Sequence, residues 1–395
     1  MNIAAEDVMR PPAPAFLTQG FRPFFLAAGL WSAAALALWI LMFATGTAIP
    51  SRFDPLAWHI HEMLFGFVMA AIAGFLLTAI PNWTGRHPVN GGQLALLAGL
   101  WLLGRIACLA SALVPAGIAI AADLSFPVLL AGFIAREIVA GRNWRNLPLV
   151  APVIVLGIAN LLMHLEGDGV AVPSGLGWRL ALAAVIVLIS VVAGRIVPSF
   201  TRNWLAQRRE PDLPAAPGWI DRAALGTLHT GLFGWAFFPT LRPIGVLLLV
   251  GAVLNLWRLL RWRGRATAAE SLLLILHVGY AWLVLGAALL GLALLNAGLP
   301  QSAAIHALTA GAIGTMILAV MTRVARGHTG RALAADRLTV TIYILVNVAA
   351  IVRVVAAVGD AWTMPLLVAS ASLWIGAFAL FVFCYGPMLL SPRES

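Results

Sequence analysis

Two histidines 245 positions apart each stand about one turn inside a long apolar run: His61 in WHIHEMLFGF and His306 in QSAAIHALTAGAIG. Imidazole is a good ligand for iron, copper and zinc. An ionisable group inside a membrane-type segment is by default a candidate for function. Two imidazoles at matched depth on different helices could clamp one metal ion, or a planar haem, between them. Small residues follow each histidine, Gly66 and Gly74 in one run and Ala310, Gly311 and Gly314 in the other, and would let a flat ring approach the backbone. Small residues also serve close helix packing, and paired histidines also serve as polar links between helices.

Arg105 and Arg353 each lie well inside an apolar run, near the expected depth of the two histidines. A buried guanidinium needs an anion. Haem propionates would satisfy both by charge-assisted pairing; snorkelling to the interface, or a pairing with Glu62, would do so without haem. His59 and His61 are two apart, hence on opposite sides of a helix, and cannot easily share one ion. His59 and Glu62, three apart, share a face and could line a second site or a proton path. His229 and His277 lie in apolar surroundings and, with His59, are the candidates for copper; interhelical hydrogen bonding is the alternative. His164 sits beside Met163 at a helix end, a pairing that suits copper, but it reads first as a wet helix terminus. His87 and His328 fall in loops. Cys108 and Cys384 read as buried small residues, without the spacing of a disulfide framework or a CxxC site.

The elements that position these groups follow from composition. The chain has 395 residues, 62% hydrophobic and 10% charged, with a mean hydropathy of +0.95. Soluble chains carry about 25% charged residues, and the recurring apolar runs approach the ~20 residues that span a bilayer. This is an all-α, polytopic membrane protein. The breaks at Pro, Gly and Arg predict twelve spans at 22–46, 57–80, 91–112, 116–140, 147–165, 177–198, 219–238, 242–260, 270–296, 301–322, 338–358 and 362–387. Residues 1–20 read as a mobile cytoplasmic tail without the pattern of a cleaved signal peptide, and 21–390 as one transmembrane domain. The net charge is +10, and every basic residue is Arg. Because Arg collects in the loops after even-numbered spans, the excess reads as topology rather than nucleic-acid binding. It places both termini in the cytoplasm and His59 and His61 near the outer face.

The chain also resembles itself. At an offset of 245, His61 falls on His306, Gly66 on Gly311 and Thr84-Gly85-Arg86 on Thr329-Gly330-Arg331. At an offset of 117, Pro81 falls on Pro198 and Thr84 on Thr201, while His61 meets Trp178. The segments LWLLGRIA and AAIVRVVA each place one Arg, Arg105 and Arg353, inside a span. Likeness among helices 2, 6 and 10 implies three four-helix units. A two-by-six transporter repeat would pair helix 2 with helix 8 instead.

The stretches GFRPFFLAAGLW, WHIHEMLFGF, GFLLTAIPNWTGR, LWLLGR, LHTGLFGWA, LHVGYAWL and TRVARGHTGR together resemble the NnrS family, over nearly the whole chain. The resemblance implies a twelve-span bacterial inner-membrane protein containing haem and copper and linked to nitric oxide and nitrosative stress. The three-by-four layout is also similar to the catalytic subunit of haem–copper oxidases, where helices 2 and 10 clamp a haem. Carried over, that gives His61 and His306 as axial ligands. The oxidase-type copper centre fails on ligand count, because helix 6 has no histidine and helix 7 only His229. The function expected is haem- and copper-dependent handling of nitric oxide, or another small diatomic ligand, with an electron donor and catalytic residues that the sequence leaves unnamed. The alternative is a cofactor-free, proton-coupled transporter.

Overall fold

A computed structural model describes residues 14–359 and 362–394. Residues 1–13 of the expected tail lie outside the described residues. Of the rest, Ala15–Leu17 form a single 3-10 turn, and Gly20 abuts Leu77.

Among the described residues there are helices and no strands. The long helices are α1 Phe21–Thr45, α2 Pro55–Thr84, α3 Gly91–Leu109, α4 Ala116–Ala140, α5 Trp144–Gly167, α6 Leu176–Gln207, α7 Trp219–Phe237, α8 Arg242–Leu260, α9 Ser271–Leu294, α10 Gln301–His328, α11 Arg337–Ala356 and α12 Thr363–Leu390. Eleven of them are long and apolar enough to cross a membrane. The exception is α7, which carries Asp221 and Arg222 near its start and His229 further along. The chain is thus a multi-pass membrane protein, as its composition requires.

From α3 onward successive helices pack on one another, and α12 returns to pack on α1. Inside this succession α2, α6 and α10 touch pairwise. They are also the most enclosed spans, with 83%, 67% and 67% of their apolar windows buried against 56% or less for the others. These are the three helices that the internal likeness aligns.

The alignment extends to backbone detail. Thr84, Thr201 and Thr329, the matched threonines, each donate the side-chain hydroxyl to the carbonyl four residues back, at Ile80, Val197 and Ala325. The helices α2 and α6 also run through Pro81 and Pro198 rather than ending there. Interior prolines are tolerated in spans where neighbouring groups re-satisfy the freed backbone. Glu62–Val68 and Ala307–Gly314, which begin directly after His61 and His306, are both wound as π-helix. Such segments are rare and occur mostly at functional sites.

The glycines expected to make room for a ring are filled by aromatic side chains. A Cβ on Gly66 would meet Trp31 Nε1 at 2.5 Å, and one on Gly311 would meet Trp282 Cδ2 at 2.5 Å. Gly74 faces Phe25, and Gly314 faces Trp374. Each indole at the matched pair is anchored: Trp31 Nε1 donates to Glu62 Oε2 at 2.8 Å and Trp282 Nε1 to Asn347 Oδ1 at 2.8 Å. Substituting Gly66→Val should therefore displace Trp31 and lower stability by about 1–3 kcal/mol, read as a fall in thermal unfolding temperature in detergent. Gly99→Val, where a Cβ meets nothing within 4 Å, should leave that temperature nearly unchanged.

Candidate metal centre

At one end of the bundle, four helices deliver ionisable groups to a single point. Asp54 caps the start of α2, its Oδ1 accepting from the Leu56 and Ala57 amides at 2.9 Å, with Pro55 at the first helical position. This cap sets His59 and His61 in the first two turns. Cys108 lies at the end of α3, Asp123 in the second turn of α4 and His164 in the last turn of α5. One ligand atom from each of His61, Cys108, Asp123 and His164 can be chosen so that all four lie within 4.8 Å of one another. All four residues are buried. Among the described residues this is the group of His, Cys and acidic side chains that could hold a metal ion.

The surrounding contacts hold these donors in place. His61 Nδ1 lies 3.0 Å from Glu62 Oε1. Glu62 is itself bound by Arg105 Nη1, at 2.7 Å to each carboxylate oxygen, and by Trp31. Arg105 Nη2 donates to Asp123 Oδ1. The other oxygen of Asp123 accepts from Asn160 Nδ2 at 2.8 Å and faces His164 Nε2 at 3.0 Å and His61 Nε2 at 3.2 Å. A carboxylate behind a ligating imidazole fixes its tautomer and raises its basicity, a recurring feature of metal sites. Glu62 stands in that position behind His61, so that Nε2 is the nitrogen turned to the other donors.

The site is closed from the nearby end of the bundle. Phe53 stacks on His61 with ring centroids 4.7 Å apart and leans on His164 at 5.0 Å. Arg52 ties the loop that carries Phe53 to its neighbours, donating to the Ser111 and Val114 carbonyls and pairing with Asp168 at 3.4 Å. Water is thereby kept from a centre in which every polar contact is strengthened by low dielectric.

The residues singled out from sequence divide between several places. His61 and Arg105 belong to this centre. Nη1 and Nη2 of Arg105 are taken by Glu62 and Asp123, which answer its charge in place of the expected propionate, while its Nε is buried without a partner. Glu62 bonds His61, Arg105 and Trp31, and no hydrogen bond or ion pair joins it to His59 among the described residues. His306 and Arg353 lie apart from His61. Nδ1 of His306 is 2.7 Å from the Ser302 carbonyl, and Arg353 and His59 are its charged and titratable neighbours. His229 Nε2 meets Ser190 Oγ at 2.7 Å. His277 meets the Leu273 carbonyl and Thr201 Oγ1 at 3.0 and 3.3 Å. Both are interhelical or local hydrogen bonds away from the four-residue centre.

A porphyrin clamped between His61 and His306 does not fit this arrangement. Both nitrogens of His61 face partners at 2.9–3.2 Å, and the flanking glycines are occupied by Trp31 and Trp282. A single ion among two imidazoles, a thiol and a carboxylate does fit, by donor type and convergence.

Three of the four donors escaped the sequence reading as a set. Cys108 read as a packing residue and His164 as a wet helix end. Asp123, in AGIAIAADLSFPVLLAGF, carried the signal that would have found it: a lone carboxylate inside an apolar run.

No curated protein matches the chain. A family model described as NnrS protein matches residues 15–393, nearly the full length, and the chain is therefore a member of the NnrS family.

Proposed function

We propose that this protein is a bacterial inner-membrane metalloprotein that handles nitric oxide or a related diatomic ligand in nitrosative stress, through one transition-metal ion held by His61, Cys108, Asp123 and His164. The observation that carries the reading is the convergence of four buried donors from four helices, with Glu62 seated behind His61. Two imidazoles with one sulfur favour copper or iron over magnesium or calcium, which prefer oxygen donors. Such an ion, when bound, supplies one-electron redox and a coordination position for a small uncharged ligand. The chain's own part is to orient: Glu62 holds the His61 tautomer, Arg105 balances the carboxylates, and Phe53 excludes water.

Charge balance supports this reading. With Asn160 Nδ2 donating to Asp123, its Oδ1 accepts from His61 Nε2 at 2.9 Å, while Glu62 accepts from Nδ1. Both His61 nitrogens then donate, the pattern of an imidazolium. One imidazolium and one guanidinium then balance two carboxylates. Replacing the protons of His61 and Cys108 by a divalent ion keeps the site neutral, which a low-dielectric interior requires. The same neutral quartet is what favours the second reading, a metal-free proton-coupled transporter.

The Arg-rich loops after α2, α4, α6, α8 and α10 all lie at the end opposite the centre, which supports cytoplasmic termini and an outward-lying site. The loops after α6 and α8 touch, through Arg263–Asp212 at 3.1 Å and the Ala215 amide to the Arg261 carbonyl at 3.3 Å. If α8 crosses the membrane, α7 must cross as well to bring those loops together. This supports twelve spans, and the central α2, α6 and α10 support three units of four.

Protein purified in detergent and loaded with copper should hold about one ion per chain and release about two protons per divalent ion taken up in weak buffer. Cys108→Ser and His164→Ala should lose most of that metal, and Cys384→Ser should keep it. Metal content independent of Cys108 and His164 would defeat the assignment. Anaerobic nitric oxide should change the spectrum of the loaded wild type; an unchanged spectrum would remove the nitric oxide role.

Removing one partner from a buried charge network costs about 3–5 kcal/mol. Arg105→Leu should therefore lower the thermal unfolding temperature sharply. Adding Glu62→Leu to it should restore part of the loss, since one uncompensated carboxylate is removed.

A further inference from the structure

A cavity of about 410 Å³ opens at the end of the bundle opposite the metal centre, between the turn after α2 and the last turns of α4. Gly85, Arg86, His87, Gln93, Arg136 and Glu137 line it, among others, and all six but Glu137 are exposed. Two guanidiniums share one carboxylate there. Arg86 Nε donates to Glu137 Oε2 at 2.6 Å, and Arg136 Nε donates to Glu137 Oε1 at 2.8 Å. Arg136 Nη2 also lies 2.7 Å from Glu137 Oε1 and 3.4 Å from Gln93 Oε1. Nη1 and Nη2 of Arg86 make no hydrogen bond or ion pair among the described residues. The two arginines and Glu137 therefore leave one positive charge at the cavity, on donors that a ligand can reach from outside the bundle.

The internal likeness shows what such a corner takes up. Thr84-Gly85-Arg86 matches Thr329-Gly330-Arg331, and both glycines turn the chain at positive φ, 69° and 84°. At the second corner the chain's own C-terminal segment is seated. Arg331 Nη2 pairs with Glu394 Oε1 at 2.6 Å, and the Glu394 amide donates to the Thr329 carbonyl at 3.0 Å. A Cβ on Gly330 would meet the Glu394 carbonyl oxygen at 2.5 Å, whereas one on Gly85 would meet nothing within 4 Å. The first corner thus has the same turn and the same arginine without an anion from the chain laid over it. We propose that Arg86 and Arg136 bind a phosphate group in this cavity, that of an anionic membrane lipid. A guanidinium fork matches two oxygens of one phosphate, and a single phosphodiester charge neutralises the cavity. Position favours the lipid over free phosphate. The cavity lies at the ends of two apolar helices, and a crevice lined by Leu77, Ile80, Phe133 and Ile134 adjoins it, sharing Val89 and Glu137. Basic pockets between spans at the membrane surface are suited to lipid headgroups. The site shares no residue with the metal centre and does not depend on the metal reading.

The test is titration of the full chain, delipidated in detergent, with short-chain phosphatidylglycerol and phosphatidylcholine, read by native mass spectrometry. Wild type should bind phosphatidylglycerol about fivefold more tightly than phosphatidylcholine, as one added charge near the membrane surface implies. Arg86→Gln and Arg136→Gln should each weaken phosphatidylglycerol about tenfold, as loss of a charge-assisted hydrogen bond implies. Arg265→Gln removes an exposed cation at the same end but outside the cavity, and should bind like wild type. Inorganic phosphate separates the two sources. Displacement of the lipid only by a large excess of phosphate supports the lipid; displacement by equimolar phosphate would overturn the lipid as the ligand. Independently of any variant, phosphatidylglycerol should slow hydrogen exchange in wild type at residues 85–93 and leave residues 330–335 unchanged, since that corner is already filled. No preference for phosphatidylglycerol, wild-type affinity in both cavity variants, an equal loss in Arg265→Gln, or unchanged exchange at 85–93 would each overturn the proposal.

Discussion

A guanidinium in a membrane interior is tolerable only if its charge is answered at contact distance, and Arg105 is answered twice, by Glu62 from α2 and by Asp123 from α4. Much of this end of the bundle follows from that requirement. The arginine ties α3 to both neighbours. Its hold on Glu62 places that carboxylate behind His61, and its hold on Asp123 turns the second oxygen toward His61, Asn160 and His164. Without the cation, two carboxylates would face each other in low dielectric, a cost that no packing gain nearby offsets. The donor cluster exists because this pairing assembles it.

The polar group at this end gathers carboxylates, imidazoles and a thiol around a point where positive charge fits. His59 lies outside it although only two residues separate it from His61, since two residues turn a helix by about 200°. The π-wound stretches that follow His61 and His306 shift the phase of the helices below each histidine. That shift lets Gly66 and Gly311 present bare backbone to Trp31 and Trp282, and the indoles close what would otherwise be slots. The four-donor centre itself is roofed by Phe53, which stacks on His61 and leans on His164.

Much of the fold was legible in the sequence. Apolar runs near the bilayer length located every long helix, because lipid admits little else than a helix whose backbone bonds are internal. The ends were less legible: α2 and α6 continue past Pro81 and Pro198, where proline in a soluble chain would mark a stop. The likeness of helices 2, 6 and 10 reappears as three enclosed, mutually touching helices with identical threonine-to-carbonyl bonds. The site was legible only in part. His61 and Arg105 stood out because charge in an apolar run is conspicuous, and by the same rule Asp123 was there to be seen. Cys108 was not, since a thiol looks like any small buried residue until its neighbours are known.

The sequence by itself determined the solvent, the spans, the internal likeness and the identity of the costly buried groups, because each of these is a property of local composition along the chain. Which of those groups meet was decided by tertiary structure alone. The choice of Glu62 and Asp123 as partners of Arg105, and the separation of His61 from His306, depend on how helices distant in sequence turn and tilt against one another. A one-residue π insertion changes that rotation without leaving a mark that composition can show.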